Sequence, residues 1–216
     1  MVQGAAATIE VYHDLICPWC FIGKRRFEVA LSHHRGAPVV VRWQPFLLNP
    51  NMPSTGMDQR NYLALKFGGP RRAQQAHEMI ARTARMDDLS LRLDAIERTP
   101  PTLDAHRFIA FVSSQGVDTA TAIDAVFSAF FQGGRNIGDV EVLESLGCSL
   151  GVAPGRVRSF LGGDDLVDTV RASDWSARQM GIQAVPCFVF QGRYALSGAQ
   201  DPDAFQPLLD LLTAAA

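Results

Sequence analysis

The sequence predicts an α/β fold in which a large all-helical insertion interrupts a small sheet after its second strand. Three observations predict this fold. Two strand-like runs near the start of the chain flank a helical stretch, the composition from about Asp58 to Phe160 is helical, and strand-like runs return near the end. A chain of 216 residues is long enough to bury a full core as one domain, or as one domain carrying an insertion.

The first strand-helix-strand unit is defined by changes in the apolar pattern. Residues 8–13 alternate and are rich in β-branched side chains, which predicts a strand. A helix is predicted from Pro18 towards Gly36, and a second strand over Val39–Phe46, where the apolar run is nearly continuous. The helix between them predicts that the two strands are parallel, and the continuous run predicts a second strand covered on both faces.

The segment from about Asp58 to Phe160 has Ala, Arg, Leu and Gln at helical spacing, with breaks at Gly- and Pro-rich turns. We predict four or five helices in it, among them helices over residues 71–86, 102–114, 119–132, 139–150 and 153–161. The predicted N-caps are Thr102, Asp118 or Thr119, and Asp139. No flexible linker flanks the segment, so we predict an inserted helical domain, residues 58–163, packed on a domain formed by residues 1–57 and 164–216.

A helix, a β-hairpin and a closing helix are predicted at the end of the chain. The helix covers about Asp165–Met180, the strand-like runs at 185–190 and 193–197 are joined by a two-residue Gln191-Gly192 turn, and Asp201 caps the closing helix. The whole order is therefore βαβ, a helical insertion, and αββα. This is the element order of the thioredoxin fold, interrupted after its second strand.

Cys17-Pro18-Trp19-Cys20 carries two thiols one helical turn apart, soon after the first strand. Pro18 suits the first position of a helix, which places Cys17 at the helix N-terminus. There the unpaired amides and the partial positive charge favour the thiolate, which is the form that attacks disulfides. Cys20 lies on the same helix face and is close enough to resolve a mixed disulfide. The spacing predicts a redox site with Cys17 and Cys20 as its catalytic residues.

The residues alone leave two other interpretations of these cysteines open. A structural zinc site needs four ligands, but Cys148 and Cys187 are isolated and the five histidines are scattered, so we expect no metal site. Two unreactive helix cysteines are the other interpretation. Cys187 itself is predicted to be a small buried core residue, with a redox role as the alternative.

Composition and charge exclude several classes of partner. An apolar fraction of 47% and a charged fraction of 19% are those of an ordinary globular protein. A formal net charge of −2 gives no electrostatic reason to expect nucleic acid or an anionic membrane as a partner, and no apolar run approaches the length of a membrane span. The first seven residues lack the pattern of a secretory signal, so we expect the reducing cytoplasm as the compartment.

Several polar residues near the dithiol or on the insertion are candidates for a supporting role. His13 and Asp14 precede the dithiol and are candidates for moving the proton of Cys20. The alternative for Asp14 is that its carboxylate accepts backbone amides in the loop. His106 is expected to be a surface or satisfied core group, with a place in a cleft as the alternative, and Lys24-Arg25-Arg26 is expected on a solvated helix face.

A proline also heads the predicted strand at Val185-Pro186, where a trans bond would cost a ladder hydrogen bond and a cis bond in a tight turn would resolve this. With this feature the chain resembles the DsbA-like thioredoxin superfamily, and most closely its FrnE-like members. The resemblance rests on several segments taken together, which are far more specific than Cys-x-x-Cys alone. They are DLICPWCFIGK at residues 14–24, TLDAHR at 102–107, GDVEVL at 138–143, GIQAVP at 181–186 and LSGAQ at 196–200.

The resemblance implies that Pro186 is cis and lies against the dithiol, and that the backbone of Val185 binds an extended substrate like an added strand. It also implies a cleft beside the helical insertion, with Pro18, Trp19, Val185 and Pro186 as substrate-binding residues. The implied partners are thiol or disulfide substrates, either protein or small molecule; no cofactor is required, and glutathione is a candidate co-substrate. Trp19 stands where DsbA has a histidine, so the strong oxidising power of DsbA is not expected here.

Residues and resemblance together predict an enzyme, a thiol-disulfide oxidoreductase acting through Cys17 and Cys20. The alternative is a glutathione-dependent isomerase or transferase of the 2-hydroxychromene-2-carboxylate isomerase or kappa class, in which a serine typically activates glutathione and no second cysteine is needed. A third hypothesis is a non-catalytic chaperone or binding module that uses the apolar cleft. The sequence leaves open the physiological substrate, the direction of electron flow and the oligomeric state, a homodimer included.

Overall fold

The computed structural model describes residues 7–36 and 38–214, in which a mixed sheet is packed against helices. Its strands are β1 (Ala7–His13), β2 (Val39–Pro45), β3 (Met57–Asp58), β4 (Arg98–Thr99), β5 (Cys187–Phe190) and β6 (Tyr194–Ser197). Its α-helices are α1 (Pro18–His33), α2 (Gln59–Phe67), α3 (Pro70–Met86), α4 (Leu103–Ser114), α5 (Thr119–Phe127), α6 (Val140–Ser149), α7 (Arg156–Leu161), α8 (Val167–Gln179) and α9 (Gln206–Ala214). The predicted domains also include residues 1–6, 37, 215 and 216, and the expectation of no secretory signal depends mainly on residues 1–6; all of these lie outside the described residues.

The main sheet has the strand order β2-β1-β5-β6. β1 and β2 are parallel, as the helix between them predicts, while β5 is antiparallel to β1 and β6 is antiparallel to β5. The expectation that β2 is covered on both faces is wrong. β2 lies at the edge of the sheet, where alternate side chains face solvent, and Val40 is 43% exposed.

The inserted segment contains six α-helices, α2 to α7, instead of the four or five predicted from the sequence. The additional helix is α2. None of its residues is fully buried, so its sequence needs no clear apolar face and shows none. Its N-terminus is capped by Asp58, whose carboxylate accepts from the Asn61 amide at 3.0 Å. β3 and β4 form a ladder of two residues each, too short to leave a pattern in the sequence.

The predicted caps and turns differ from the structure at four places. Asp118 caps α5 by accepting from the Thr121 amide at 2.8 Å, whereas Thr102 and Asp139 stand at N-cap positions without making the side-chain bond. The hairpin turn has three residues, 191–193, because Phe190 pairs with Tyr194. Asp201 also makes no cap bond, and the closing segment starts with a 3₁₀ turn over Pro202–Phe205 before α9.

The charged run on α1 is largely buried, so the prediction of a solvated face is wrong for two of its three residues. Lys24 is 1% exposed, and its Nζ contacts Glu28 Oε1 at 2.5 Å and Asp124 Oδ2 at 2.6 Å. Arg26 is 8% exposed and pairs with Asp87 and Asp201, in each case at 2.7 Å. The inserted helices cover this side of α1, and the carboxylates that neutralise its cations come largely from outside α1.

The core consists of two clusters of buried side chains on the two sides of the sheet. The smaller cluster joins α1, α9 and the sheet through Phe27, Phe188 and Phe205. The larger cluster contains residues of the sheet and of the insertion together, with Phe21 stacked on Phe127 at 5.0 Å between ring centroids. Phe127, Phe130 and Phe131 are all buried. The helical segment is therefore packed on the sheet through one continuous core.

Candidate active site

The start of α1 places Cys17 at the N-cap position, with Pro18 as the first helical residue. The Cys17 amide donates to the Asp14 carbonyl at 3.1 Å, and the Cys17 carbonyl accepts from the Cys20 amide at 3.0 Å. These bonds turn the chain sharply from β1 into the helix. They leave the Cys17 side chain at the N-terminal end of α1, where unpaired amides stabilise negative charge.

The two cysteines of the motif are not joined by a disulfide in this structure, and both are almost completely buried. The pKa of Cys17 is lowered because the Cys20 thiol donates a hydrogen bond to its thiolate; the Cys20 amide and the charge of Lys66 add to this, against burial and Asp14. Burial raises the pKa of Cys20 well above its usual range, and its interaction with Cys17 raises it further. The pair is thus asymmetric, because Cys17 is the thiol that ionises more readily and Cys20 is the thiol that holds its proton more tightly.

The loop before β5 lies against Cys17. The Val185–Pro186 peptide bond is cis, and the Cys17 thiol donates to the Val185 carbonyl at 3.5 Å. The Pro186 carbonyl accepts from the Gly198 amide at 2.8 Å, which ties the loop to the end of β6. A Cβ atom at Gly23 would lie 2.7 Å from Pro186 Cγ, so only glycine lets α1 approach the loop this closely.

A cleft runs from the dithiol to the inserted helices. It contains about 670 Å³ of empty space, part of it open to solvent. Cys17, Pro18 and Trp19 line it at the start of α1, and residues of α2 and α3 line it from the insertion. The walls are mainly apolar, and their polar side chains are Gln59, Tyr62, Lys66, His77 and Thr99.

Asp14 is fully buried behind the dithiol. Its carboxylate accepts from the Leu48 amide at 2.6 Å and from the Ile16 amide at 3.4 Å, so the backbone-accepting alternative for this residue describes its contacts. Burial nevertheless raises the pKa of Asp14 to about 6, although these amides and the Thr102 hydroxyl lower it. Its charge also raises the pKa of both cysteines. Asp14 is therefore electrostatically coupled to the dithiol.

His13 and His106 form a buried pair beside Asp14, with their ring centroids 5.2 Å apart. His13 Nδ1 is 3.4 Å from the Val11 carbonyl, and burial lowers the pKa of His13 to about 4. His106 Nε2 lies 4.0 Å from Asp14 Oδ1, and burial lowers the pKa of His106 well below its usual range. The Nε2 atoms of both rings are buried without a hydrogen-bond partner in the described residues.

The position of His106 differs from the expectation of a surface or satisfied core group. His106 belongs to the inserted helix α4, and the fold brings it to the end of β1, where the sheet supplies His13 and Asp14. Sequence reasoning missed this cluster, since residues almost a hundred positions apart give no shared pattern. The only local signal was the polar TLDAHR segment ahead of an apolar helix.

The other two cysteines lie away from this arrangement. Cys187 is 2% exposed at the start of β5, where the Ser197 hydroxyl donates to its sulfur at 3.7 Å, as expected of a core residue. Cys148 is exposed on α6. Across the described ranges, no group of three or more His, Cys, Asp or Glu side chains could hold a metal ion. None of the described helices is long and apolar enough to cross a membrane.

Known proteins resemble this chain over nearly its whole length. Residues 8–210 match the family model described as "DSBA-like thioredoxin domain". The chain is 31% identical over 201 residues to "Uncharacterized protein YwbO" of Bacillus subtilis (strain 168), covering 92% of this chain and 93% of that protein.

Solved structures also resemble this chain over nearly its whole length. A crystal structure of a probable DsbA oxidoreductase from Streptomyces coelicolor superposes with a TM-score of 0.86 at 29% identity, covering 97% of this chain and 91% of that one. A structure of 2-hydroxychromene-2-carboxylate isomerase has a TM-score of 0.68 at 14% identity, covering 96% of this chain and 95% of that one. At that identity the second likeness concerns the fold alone.

Proposed function

The chain belongs to the family of DSBA-like thioredoxin domains, and on that basis we propose that it is a thiol-disulfide oxidoreductase acting through the Cys17-Pro18-Trp19-Cys20 dithiol. The observation that carries the proposal is the asymmetry of the two thiols. Cys17 has a lowered pKa at a helix N-terminus that borders a cleft, and Cys20 behind it has a raised one. A disulfide exchanger needs a thiolate to attack and a second thiol held in reserve.

The proposed reaction consists of two exchange steps. The Cys17 thiolate attacks one sulfur of a substrate disulfide, forms a mixed disulfide and releases the other half as a thiolate. Cys20 then loses its proton and attacks the Cys17 sulfur, which releases the second half of the substrate. The substrate gains two electrons, and the protein keeps a Cys17–Cys20 disulfide. The steps run in reverse when the oxidised protein meets a dithiol, and glutathione is our proposed partner for resetting the dithiol.

We assign to Asp14 the role of accepting the proton that Cys20 loses in the second step. Its pKa of about 6 lets a carboxylate at neutral pH accept a proton, and its charge is felt at both sulfurs. His13, the other predicted candidate, donates from Nδ1 to the Val11 carbonyl and packs its ring against Trp43 and His106. We therefore assign His13 a supporting role, in which it packs beside the site while Asp14 accepts the proton.

The cis-proline loop is the proposed docking edge for the substrate. Trp19 and Pro18 supply the apolar wall of the cleft, and Val185 supplies a carbonyl next to the attacking sulfur. An extended substrate can pair its backbone with Val185 as an added strand pairs with a sheet edge. Pro186 holds this edge at the dithiol through its carbonyl bond to Gly198.

The proposal predicts a trapped intermediate. In Cys20→Ser, Cys17 still attacks but nothing resolves the mixed disulfide, so incubation with oxidised glutathione should leave one stable glutathione per chain on Cys17 by mass spectrometry. Cys148→Ser and Cys187→Ser, each made in the Cys20→Ser background, should leave the adduct unchanged. An adduct on Cys148 or Cys187 instead would contradict the assignment.

The same variant separates the alternative function. A glutathione-dependent isomerase or transferase needs no second cysteine, so Cys20→Ser would keep full turnover if that chemistry were the true one. For an oxidoreductase, reduction of a model disulfide by multiple turnovers should fall close to the uncatalysed rate. Mild oxidation of the wild-type protein should also remove two free thiols per chain, as counted by thiol titration before and after oxidation, without forming oligomers.

A further inference from the structure

Thr102 stands between the buried Asp14 and a second opening in the surface of the molecule. It occupies the N-cap position of α4, but its side chain makes no cap bond there. Its hydroxyl hydrogen-bonds the Asp14 carboxylate instead, which lowers the pKa of that carboxyl against the larger effect of burial. The insertion thus supplies Asp14 with a hydroxyl group that the helix itself does not use.

The second opening, which we call the Thr102 pocket, contains about 680 Å³ of empty space, part of it open to solvent. Its polar and charged lining residues are Asn49, Asn51, Thr102, Arg171 and Asp174. Among the described residues, this pocket and the cleft at the dithiol share no lining residue. The Thr102 pocket is therefore a separate opening, which a substrate seated in the cleft would leave unfilled.

A chain of hydrogen-bonding groups leads from Cys20 to the Thr102 pocket. The Asp14 backbone hydrogen-bonds Cys20, and the Asp14 carboxylate hydrogen-bonds the Thr102 hydroxyl. The Leu48 amide, which donates to Asp14 at 2.6 Å, lies between two residues that line the pocket. Because a hydroxyl can donate and accept at the same time, Thr102 can bond Asp14 and a solvent molecule in the pocket together.

The other ionisable groups around Asp14 are less suited to carry its proton to solvent. His13 and His106 are buried, and burial lowers the pKa of each because it disfavours the charged ring. Lys66 influences Asp14 through its charge, which lowers the pKa of the carboxyl, and the two cysteines of the motif are the reacting groups themselves. The Thr102 hydroxyl is uncharged over the working pH range, so it can pass a proton on without retaining it.

Building on the proposed disulfide exchange, we propose that Thr102 is a positioning residue that connects Asp14 to solvent through the Thr102 pocket, and that this route carries the proton of Cys20 while the cleft is occupied. When a thiolate reduces the Cys17–Cys20 disulfide, its sulfur bonds to Cys17, and the electron pair of the broken S–S bond goes to Cys20. The Cys20 thiolate then takes a proton from Asp14. Solvent in the pocket gives a proton to the Thr102 oxygen while the Thr102 hydroxyl proton passes to Asp14, and the oxidising direction reverses these transfers.

Reduction of the oxidised protein by excess dithiothreitol tests the route, because this reaction takes up a proton at Cys20. At pH 8 Asp14, with a pKa of about 6, is ionised and holds no proton of its own, whereas at pH 5.5 most chains already carry it. We expect Thr102→Val to slow reduction about tenfold at pH 8 and about twofold or less at pH 5.5, which is part of the 10²–10⁴-fold that positioned proton transfer contributes. Acid quenching and mass spectrometry count oxidised and reduced chains.

The sign of the effect separates a proton route from a change in the pKa of Asp14. Loss of the Thr102 hydroxyl removes a donor to the carboxylate, so the pKa of Asp14 should rise. A higher pKa would place more protons on Asp14 at pH 8 and would speed reduction, the opposite of the expected slowing. The thiolate fraction of dithiothreitol is the same for both proteins at each pH, so it cancels in the ratio of their rates.

Two further variants serve as controls. Thr102→Ser keeps the hydroxyl and should keep the wild-type rate at both pH values. Thr119→Val removes a hydroxyl at the start of α5, where it bonds Ser113 at 2.9 Å and lines neither opening, so the rate should again be unchanged. Because Thr102 makes no cap bond, Thr102→Val should leave α4 intact, and circular dichroism checks this.

Attack by Cys17 gives a second measurement on the same variant. In the Cys20→Ser background no proton leaves position 20, so Thr102→Val should change the rate of attack on hydroxyethyl disulfide by less than about twofold. An unchanged reduction rate at pH 8, equal slowing at both pH values, or a matching loss in the attack rate would overturn the proposal. Failure of the wild type to exchange with either reagent would instead overturn the proposed oxidoreductase function, so the two outcomes are distinguishable.

Discussion

At the scale of the residue, Asp14 shows how ionisation of a buried carboxyl lowers the stability of the folded protein. Its pKa of about 6 in the folded chain exceeds the ordinary aspartate value, so the folded state holds the proton more tightly than the unfolded state between about pH 4 and 6. Stability therefore falls as the pH rises through this window, and the ionised carboxylate costs up to about 3 kcal/mol at neutral pH. We expect Asp14→Asn to raise the free energy of unfolding at pH 7.5 by about 1–3 kcal/mol, with a smaller gain near pH 4.

Urea unfolding of the reduced protein at several pH values measures this difference. The same substitution should slow the resolving step, because Cys20 loses its proposed proton acceptor, so stability and turnover should change in opposite directions. A gain that is the same at pH 4 and pH 7.5 would contradict the assignment of the raised pKa to Asp14.

At the scale of the element, the approach of α1 to the cis-proline loop depends on Gly23. A methyl group there would lie 2.7 Å from Pro186 Cγ and 3.4 Å from Ala199 Cα, and neither is the end of a flexible side chain. Gly23→Ala should therefore push the loop away from Cys17, destabilise the fold by about 1–3 kcal/mol and lower turnover by about tenfold or more. Gly163→Ala is the control, since its Cβ would meet only the Phe160 carbonyl at 3.8 Å. Steady-state turnover and thermal unfolding measure both effects, and equal effects of the two substitutions would count against this role.

At the scale of the whole molecule, the sheet and the inserted helices share the larger core cluster, and the ion pair between Lys24 and Asp124 joins α1 to α5. We expect them to unfold together. Trp19 and Trp43 report on the sheet and α1 by fluorescence, whereas most helical circular dichroism comes from the insertion. The two urea transitions should coincide in wild type, and in Asp124→Ala both midpoints should fall together. Two separate transitions in wild type would show instead that the insertion is an independent folding unit.

The sequence predicts this molecule well where the pattern is local. The order of the elements, the parallel pairing of β1 with β2 and the position of Cys17 at a helix start all follow from spacing and turn chemistry. It fails where the outcome depends on distant chain segments. The burial of Lys24 and the meeting of His106 with Asp14 are decided by how the insertion folds back over the sheet, which no local pattern records.

The hydrogen bond from the Cys17 thiol to the Val185 carbonyl has a consequence for the timing of catalysis. It exists only while Cys17 keeps its proton, because a thiolate has nothing to donate. Ionisation therefore does two things at once: it creates the nucleophile and frees the carbonyl that, on the proposed function, pairs with a substrate backbone. While Cys17 keeps its proton, its thiol occupies the carbonyl that the proposed function assigns to the substrate. A substrate amide that donates to this carbonyl displaces the thiol and so favours its ionisation. On the proposed function, substrate binding and ionisation of Cys17 therefore favour each other.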